Sequence, residues 1–209
     1  MVNIVEPPNG TNFKDQSLLV KRMFYKYGGS LDLTRSRVKA IVIDGNVIGK
    51  GLIDRLLEDV TDPETNVELG CFDTMNTDQK PDVPNAPRIV YDLTAQGINA
   101  DIIRTFIDYV ETGKLKLLKV FDDVKNKATS SGDETEELKA HIHTQYLIDE
   151  ISNLRLKNTQ KSITVEQVQK KIDKDRYSAL VYSLYYVFMF LEKEETQEYD
   201  VDEDDLVYW

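Results

Sequence analysis

The chain has 209 residues, of which 41% are hydrophobic and 30% are charged, and its formal charge is -11. This length predicts one domain, and the apolar content predicts a folded core and excludes global disorder. One cysteine excludes an internal disulfide framework and a cysteine-rich zinc site, and two histidines argue against a histidine metal cage. Taken over the whole chain, the negative charge argues against a protein whose main role is to bind nucleic acid.

The negative charge is concentrated in a tail at the C-terminus. Residues 192–209 contain nine acids and one lysine, a net of -8, which leaves 28 acids and 25 bases in the first 191 residues. The first 191 residues therefore carry a net charge of only -3. Blocks of like charge at a terminus are usually solvated and often bind partners, so we predict a flexible interaction tail over residues 192–209.

The sequence predicts neither a signal peptide nor a membrane span. Residues 1–6 lack the basic-then-apolar order of a signal peptide. The most apolar stretch, residues 177–191, is about 15 residues long, short of the roughly 20 that a membrane span needs. We therefore expect a soluble intracellular protein with no membrane partner.

Hydrophobic patterns predict alternating strands and helices along the chain. A short β-prone run over residues 2–6 is followed by a helix over 15–27 and by a nearly continuous apolar run over 39–43. Such a run is typical of a strand buried on both faces; Asp44 and Gly45 end it, and a helix follows. The remaining predictions are strands over 66–72 and 88–93, a surface loop over 73–87, a helix over 101–111, an edge strand over 114–118, a loop over 126–135, a helix over 136–152, a hairpin over 154–168 and a buried helix from Asp175. This order predicts an α/β sandwich with a late hairpin.

Asp44 stands at the carboxyl end of the strand predicted over residues 39–43. Ligands of open α/β sheets gather at that edge, and a partly desolvated carboxylate there needs a partner such as a divalent metal ion. The alternative is that Asp44 is the N-cap of the following helix, because Asp-Gly-Asn is a common strand-to-helix turn.

Asp175 begins the last apolar helix, where it is either a second metal ligand or a residue that stabilises the helix dipole. Two carboxylates on separate elements are the minimum for Mg²⁺ or Mn²⁺ chemistry, and two such ions can drive phosphodiester cleavage. The sequence has neither a Gly-Lys-Ser/Thr phosphate loop nor a Gly-x-Ser-x-Gly elbow, which argues against an NTPase and a serine hydrolase. The bases close to these acids suit a polyanionic substrate and are candidate phosphate contacts: Lys50, Lys171, Lys174 and Arg176.

Residues 42–57, which contain Asp44, and residues 171–186, which contain Asp175, form two motifs that together resemble the nuclease domain of the large terminase subunits of tailed phages. Residues 42–57 read Val-Ile-Asp-Gly-Asn-Val-Ile-Gly-Lys-Gly-Leu-Ile-Asp-Arg-Leu-Leu, similar to a strand of that family that ends in an acid-Gly-Asn turn and enters a Gly-x-Gly-Leu-x-Asp helix. Residues 171–186 read Lys-Ile-Asp-Lys-Asp-Arg-Tyr-Ser-Ala-Leu-Val-Tyr-Ser-Leu-Tyr-Tyr, similar to the last acidic motif of the family. Residues 73–76 and 153–157 also fit, and the likeness in order and spacing spans about residues 2–191.

The resemblance implies a ribonuclease-H-like mixed sheet flanked by helices over residues 1–191, related to the RuvC-type resolvases. The activity it implies is metal-dependent endonucleolytic cutting of concatemeric double-stranded viral DNA during packaging. Asp44 and Asp175 would be ligands of Mg²⁺ or Mn²⁺, with Asp173 as the alternative to Asp175. The implied partners are double-stranded DNA, the portal protein and the small terminase subunit, in the cytoplasm of the bacterial host.

The chain departs from the family at its start. The family places another acid on the first strand of the sheet, upstream of the segment that residues 2–6 resemble, and precedes it with an ATPase motor domain. The sequence begins at Met1 without them, so we expect an N-terminally incomplete nuclease domain with weak or no cutting on its own. Glycine is also more typical of the family at the position of Val47.

Two other functions are compatible with the sequence. The chain could be a non-catalytic docking module of the packaging motor, whose acidic tail binds a basic portal or capsid component. It could also be a RuvC-like resolvase or a ribonuclease on RNA–DNA hybrids, because phosphate contacts carry no information about substrate identity.

Overall fold

The computed structural model describes residues 3–121, 134–158 and 162–192, and within them the chain is mixed α/β with one parallel sheet. The predicted α/β class is therefore confirmed. The chain divides into two compact units, of which Val5–Gln96 is one, and the residues from Gly97 onward join the first four residues in the other. We call Val5–Gln96 the sheet unit and the described residues from Gly97 onward the helical unit. The single domain expected over residues 1–191 stays a prediction.

The sheet unit combines two helices with five short strands. Strands β2 (Val60–Thr61) and β3 (Glu68–Leu69) form an antiparallel ribbon. Strands β1 (Ile41–Asp44), β5 (Arg88–Leu93) and β4 (Asp73–Thr74) form a parallel sheet in that order. The elements are α1 (Phe13–Lys26), β1 (Ile41–Asp44), α2 (Val47–Leu56), β2 (Val60–Thr61), β3 (Glu68–Leu69), β4 (Asp73–Thr74) and β5 (Arg88–Leu93).

Local signals explain where α1 begins and ends, close to the bounds predicted for it. The side chain of Asn12 accepts a hydrogen bond from the backbone N–H of Asp15 at 2.9 Å, which satisfies one of the free donors at the start of the helix. Gly28 follows the helix with φ of 80°, a conformation that glycine adopts at little cost. The strand predicted over residues 66–72 is only two residues long, and the loop predicted over residues 73–87 begins with β4.

Strand β1 is only half-buried and lies at an edge of the sheet, and its partial exposure corrects the prediction of a strand buried on both faces. In the part of the chain that the structure describes, β1 pairs only with β5, and all four of its residues are half-buried. Strand β5 is the central strand of the parallel sheet, and its residues Ile89, Val90 and Leu93 are at most 1% exposed. A continuous apolar run does not reveal which strand is central, because pairing depends on the order of strands in the sheet.

The core of the sheet unit lies between the helices and the parallel sheet. The ring of Phe24 from α1 meets the ring of Phe72 edge-on, with 4.8 Å between the ring centroids. The fully packed residues of this core come from both helices, from β5 and from the segment before β4: Phe24, Ile53, Leu56, Phe72, Ile89 and Val90.

Two glycines allow α2 to follow β1 in a very tight turn. A Cβ atom on Gly49, in the first turn of α2, would overlap the backbone oxygen of Asp44. A Cβ atom on Gly45 would overlap Oδ1 of Asp92, and it would also crowd Thr94. The ends of β1 and β5 can therefore approach the start of α2 only because both positions lack a side chain.

A buried lysine ties α1 to the segments that follow α2 and β3. Lys21 is fully buried, and its ammonium group donates hydrogen bonds to the backbone oxygens of Glu58 at 2.5 Å and Gly70 at 2.9 Å. The ammonium also lies 5.2 Å from the centre of the Phe72 ring. Burial lowers the pKa of Lys21, and the two carbonyl oxygens compensate part of the cost of desolvation.

A bidentate ion pair joins helix α1 to the turn between β2 and β3. Arg22 donates from Nε to Oδ2 of Asp62 at 2.7 Å and from Nη2 to Oδ1 at 2.6 Å. The Asp62 side chain is only 5% exposed, and its Oδ1 also accepts the backbone N–H of Glu64. Hydrogen bonds from Arg22 hold the pKa of Asp62 well below its usual range.

The helical unit packs helices around an antiparallel hairpin. Helix α3 (Asn99–Glu111) packs against α5 (Asp175–Tyr186) and β7 (Ile163–Gln167), and α4 (Glu134–Ser152) packs against α5. A π-helical turn, Val187–Glu192, continues α5. The elements are α3 (Asn99–Glu111), α4 (Glu134–Ser152), β6 (Leu154–Asn158), β7 (Ile163–Gln167) and α5 (Asp175–Tyr186).

Of the predictions for the helical unit, one is confirmed, one is wrong and one is correct only in part. The hairpin is confirmed, with pairs that run from Leu154 opposite Gln167 to Asn158 opposite Ile163. The edge strand predicted over residues 114–118 is wrong, because those residues form neither strand nor helix. The last helix begins at Asp175 as predicted but is only partly buried, since Ala179 and Ser183 are exposed.

Three predictions lie partly outside the described residues. The flexible tail predicted over residues 192–209 lies outside them from residue 193 onward. In the run predicted over residues 2–6, residues 3–6 form no strand, and residue 2 lies outside the described part. The loop predicted over residues 126–135 lies outside the described residues as far as residue 133, and α4 begins at Glu134.

Replacing Gly49 by alanine should destabilise the sheet unit. The added methyl group would meet the Asp44 backbone oxygen, and moving α2 away from the sheet should lower the free energy of unfolding by about 2 kcal/mol. Urea denaturation followed by circular dichroism measures the change. Lys50→Ala is the matched control on the same helix, because Lys50 is exposed and its loss should change stability by less than about 0.5 kcal/mol. Equal stability of Gly49→Ala and the wild type would contradict the close approach.

Replacing Asp62 by asparagine should remove part of the acid sensitivity of the protein. The pKa of Asp62 is depressed in the folded state, so its contribution to stability is present above the usual value of 3.8 and is lost as the pH falls through the folded value. The free energy of unfolding of the wild type should therefore fall more steeply between about pH 4 and about pH 2 than that of Asp62→Asn.

The control for this prediction is Glu64→Gln, which removes the other carboxylate that Arg22 contacts. The Glu64 side chain is 74% exposed, so this variant should retain the slope of the wild type in denaturant titrations at each pH. If the free energy of unfolding falls equally steeply with pH in the wild type and in Asp62→Asn, Asp62 is not the source of the acid sensitivity.

Candidate metal site

Two carboxylates lie on neighbouring parallel strands at the carboxyl edge of the sheet. Asp44 is the last residue of β1, and Asp92 is the last but one of β5. In the register of these strands Asp92 pairs with Ile43, and Asp44 pairs with Leu93. The two acids are therefore one step apart, and their side chains start from alternate positions of the pleat. Ligands of open α/β sheets bind at this edge, where the strands turn into helices.

Asp44 stabilises the turn into α2 without being its cap. Oδ1 of Asp44 accepts the backbone N–H of Asn46 at 3.2 Å, and the N–H of Gly45 donates to the backbone oxygen of Leu93 at 2.8 Å. The N-cap position itself is occupied by Asn46, whose side chain makes no capping hydrogen bond. This corrects the alternative role predicted for Asp44. The carboxylate is half-buried beside the first turn of α2.

Asp92 presents an unsatisfied oxygen to the same turn. Its Oδ1 is buried, and no hydrogen-bond partner for it occurs among the described residues. This oxygen lies against Gly45, at the position that a side chain would otherwise fill. Burial, assisted by the charge of Asp92, raises the pKa of the neighbouring Tyr91. The carboxylates of Asp44 and Asp92 thus both contact the turn over residues 44–46.

Asn76 fixes the backbone of Asp92 from the other side. Nδ2 of Asn76 donates a hydrogen bond to the backbone oxygen of Asp92 at 2.7 Å, and Oδ1 of Asn76 accepts the backbone N–H of Asp92 at 3.0 Å. Strand β4 ends at Thr74, before β5 does, so the side-chain amide of Asn76 takes the place of a neighbouring strand for the last part of β5. The backbone of Asp92 is therefore held on both of its polar groups, and only the carboxylate is left to bind a ligand.

A hard cation fits the chemistry of this edge. A buried carboxylate oxygen without a partner costs free energy, and a cation is the partner that neutralises it best. Mg²⁺ and Mn²⁺ take oxygen ligands, and Mg²⁺ usually retains several waters beside one or two carboxylates. Within the described ranges no group of three or more His, Cys, Asp or Glu side chains could hold a metal ion. An ion bound by Asp44 and Asp92 would therefore complete its shell with water or substrate oxygens.

Asp92 was not among the residues that the sequence singled out. The strand predicted over residues 88–93 contains it, but its position inside an apolar run gave no sign of a ligand. Only the parallel pairing of β1 with β5 brings its carboxylate against Gly45, in the turn that follows Asp44. Asn76, by contrast, lies in the segment 73–76 that resembles the terminase family.

The second predicted ligand, Asp175, lies in the helical unit. It is the first residue of α5 and is exposed, as is its alternative Asp173. Lys174 occupies the N-cap position and makes no side-chain capping bond. Asp175 therefore stands in the first turn, where a negative charge favours the helix dipole. The joining of Asp44 and Asp175 around one ion stays a prediction.

A buried acid from α4 holds the start of α5 in place. Glu150 is 2% exposed, and its Oε2 accepts the backbone N–H of Tyr177 at 2.9 Å. Its Oε1 accepts Nη1 of Arg176 at 2.6 Å, and the Arg176 guanidinium lies 5.2 Å from the centre of the Tyr146 ring. These bonds fix the first turn of α5 and with it the position of Asp175.

The predicted phosphate contacts differ in their surroundings. The Arg176 side chain is only 15% exposed and pairs with Glu150, so we leave Arg176 out of the proposed DNA surface. The other three are exposed lysines, and their role stays a prediction: Lys50 on α2, and Lys171 and Lys174 before α5.

Comparisons with protein-family models, with curated proteins and with solved structures found no match to this chain. The resemblance to the terminase nuclease domain therefore rests on the motifs in the sequence itself. The structure also bears on the membrane: no helix in the described part of the chain is long and apolar enough to cross one.

Replacing Glu150 by alanine should destabilise the helical unit strongly. The substitution leaves the Arg176 guanidinium and the Tyr177 N–H without their buried acceptor, which should lower the free energy of unfolding by about 3 kcal/mol or more. Glu166→Ala is the control, because Glu166 pairs with Lys157 at the surface and should contribute less than about 1 kcal/mol. Chemical denaturation of both variants measures the difference, and similar losses would contradict the structural role of Glu150.

Proposed function

We propose that this chain is the metal-dependent endonuclease domain of a phage DNA-packaging terminase, with a ribonuclease-H-like fold. The observation that carries the proposal is the buried Oδ1 of Asp92, which has no hydrogen-bond partner among the described residues and lies against the turn that follows Asp44 at the carboxyl edge of the parallel sheet. The motif over residues 42–57, in which Asp44 lies, supports the family, and the motif over residues 171–186 adds Asp175 as a further ligand.

The residues at the sheet edge suit phosphodiester hydrolysis. Asp44 and Asp92 would hold Mg²⁺ or Mn²⁺, which supplies an activated water and stabilises the leaving oxygen when bound. Asn46 and Gly45 keep Asp44 at the end of β1, and Asn76 holds the backbone of Asp92 at the end of β5. The task of these neighbours is to hold the two acids before substrate arrives.

Three exposed lysines support double-stranded DNA as the substrate. Lys50 lies in the first turn of α2, and Lys171 and Lys174 are close in sequence to Asp173 and Asp175. Such lysines contact phosphates of double-stranded DNA without reading its sequence. The negative net charge of the chain does not oppose this role, because carboxylates that hold a divalent cation present a neutral or positive face to phosphate.

A non-catalytic docking module is the second candidate. It is favoured by the observation that the described residues contain no cluster of three ligating side chains, and by the net charge of -8 over residues 192–209. On that view the tail binds a basic component of the packaging motor, such as the portal protein. A RuvC-like resolvase would share the chemistry of the first candidate and differ only in the shape of its substrate.

Mn²⁺ binding separates the nuclease from the docking module. Titration of the full chain with Mn²⁺, followed by electron paramagnetic resonance, should reveal a site that Asp44→Asn and Asp92→Asn each weaken at least about tenfold. Asp54→Asn is the matched control, because Asp54 is an exposed acid on α2 that bonds to Gln79 away from the turn. Equal Mn²⁺ affinity in all four proteins would exclude the proposed site.

Cleavage of a supercoiled plasmid in Mn²⁺ tests the reaction itself. We expect nicking by the wild type to be lost in Asp44→Ala and Asp175→Ala, while Asp54→Asn retains it. Equal cleavage in the wild type and the two alanine variants would refute the assignment of these residues. Mn²⁺ binding with no cleavage by any of the proteins would support a docking module that retains the metal site.

A further inference from the structure

The hydroxyl group of Thr94 lies close to the unsatisfied oxygen of Asp92. A Cβ atom placed on Gly45 would overlap Oδ1 of Asp92 and would lie 2.9 Å from Oγ1 of Thr94. Thr94 follows directly on Leu93, the last residue of β5, and alternate residues of a strand point to the same face. The carboxylate and the hydroxyl therefore face one small space beside Gly45, in the turn that follows Asp44.

The two oxygens in this space share no hydrogen bond. Oδ1 of Asp92 is buried and has no hydrogen-bond partner among the described residues, so the hydroxyl of Thr94 does not donate to it. A buried carboxylate oxygen gains free energy from any donor within reach, which makes a nearby hydroxyl that does not donate unusual. Two oxygens that face one space without a proton between them are arranged like two ligands of one cation.

A threonine hydroxyl is a suitable ligand for a hard cation. Mg²⁺ prefers oxygen ligands, and the Ser or Thr hydroxyl of a phosphate-binding loop is one that it uses. Thr94 is exposed and Asp92 is half-buried, so one side of the space is open to an ion from solvent. The carboxylate supplies the charge that neutralises the ion, and the hydroxyl adds a neutral oxygen on the same face of β5.

We infer that Oγ1 of Thr94 is a ligand of the cation that Asp92 binds, in one of the positions otherwise left to water. The inference rests on the proposed function, because the ion is the Mg²⁺ or Mn²⁺ proposed for this sheet edge. Thr94 carries no charge and lies in neither of the two motifs, so the sequence gave no reason to select it. Its place beside Gly45 follows from the pairing of β1 with β5.

Mn²⁺ titration of the full chain, followed by electron paramagnetic resonance, tests the ligand. Thr94→Val removes the hydroxyl but retains the shape of the side chain, and it should lower the Mn²⁺ affinity about tenfold. Thr94→Ser retains the hydroxyl and should stay within about twofold of the wild type. Thr61→Val is the matched control, because Thr61 is an exposed threonine of β2, and it should bind Mn²⁺ like the wild type.

A change of metal preference distinguishes a ligand from a residue that only positions Asp92. Soft ions such as Cd²⁺ prefer thiolate ligands, so Thr94→Cys should show the ultraviolet absorption of a cadmium–thiolate bond. The wild type should lack this absorption, because its one cysteine, Cys71, is 3% exposed. Thr61→Cys should lack it at the same Cd²⁺ concentration. Adding Asp92→Asn to Thr94→Cys should weaken Cd²⁺ binding about tenfold, because the second ligand is lost.

The possible results separate this inference from the proposed function. If Asp92→Asn weakens Mn²⁺ binding but Thr94→Val does not, the metal site stands and Thr94 is not a ligand. Absence of the cadmium–thiolate absorption in Thr94→Cys would likewise overturn the inference alone. Equal Mn²⁺ affinity of the wild type, Asp92→Asn and Thr94→Val would refute the metal site itself, and the inference with it.

Discussion

The close approach of α2 to the ends of β1 and β5 is the constraint on which the candidate site depends. Gly49 lets the helix start against the backbone oxygen of Asp44, and Gly45 leaves the space that Oδ1 of Asp92 occupies. With a side chain at either position the helix and the sheet would have to separate. The two glycines thereby bring the acids of two strands to one turn, beside the backbone N–H groups at the start of a helix.

Buried charges elsewhere in the protein show by contrast why Asp92 stands out. The buried charge of Lys21 is compensated by hydrogen bonds to two backbone oxygens, and that of Asp62 by hydrogen bonds from Nε and Nη2 of Arg22. Glu150 is compensated by Arg176 and by a backbone N–H. Each of these groups is tied between elements and stabilises the fold. The buried oxygen of Asp92 has no such partner among the described residues, which is the condition expected of a group that binds an external ligand.

Local signals in the sequence predicted much of the secondary structure, but not the pairing that builds the site. Helix α1, the turn after Asp44 and the hairpin over β6 and β7 follow from caps, glycines and alternation that lie close together in the chain. The place of β1 at the edge of the sheet, and of Asp92 beside Asp44, depends on which strands pair across more than 40 residues, and no local pattern encodes that. Arg176 likewise reads as a surface base until Glu150, 26 residues earlier, is brought against it.

A crystal structure of the protein soaked in Mn²⁺ tests the central claim most directly. The anomalous signal of manganese identifies the ion without reference to its ligands. We expect a peak at the turn over residues 44–46, within about 2.2 Å of carboxylate oxygens of both Asp44 and Asp92. A peak bound to only one of these acids, or manganese only at other carboxylates of the chain, would contradict the account of this sheet edge as a metal site.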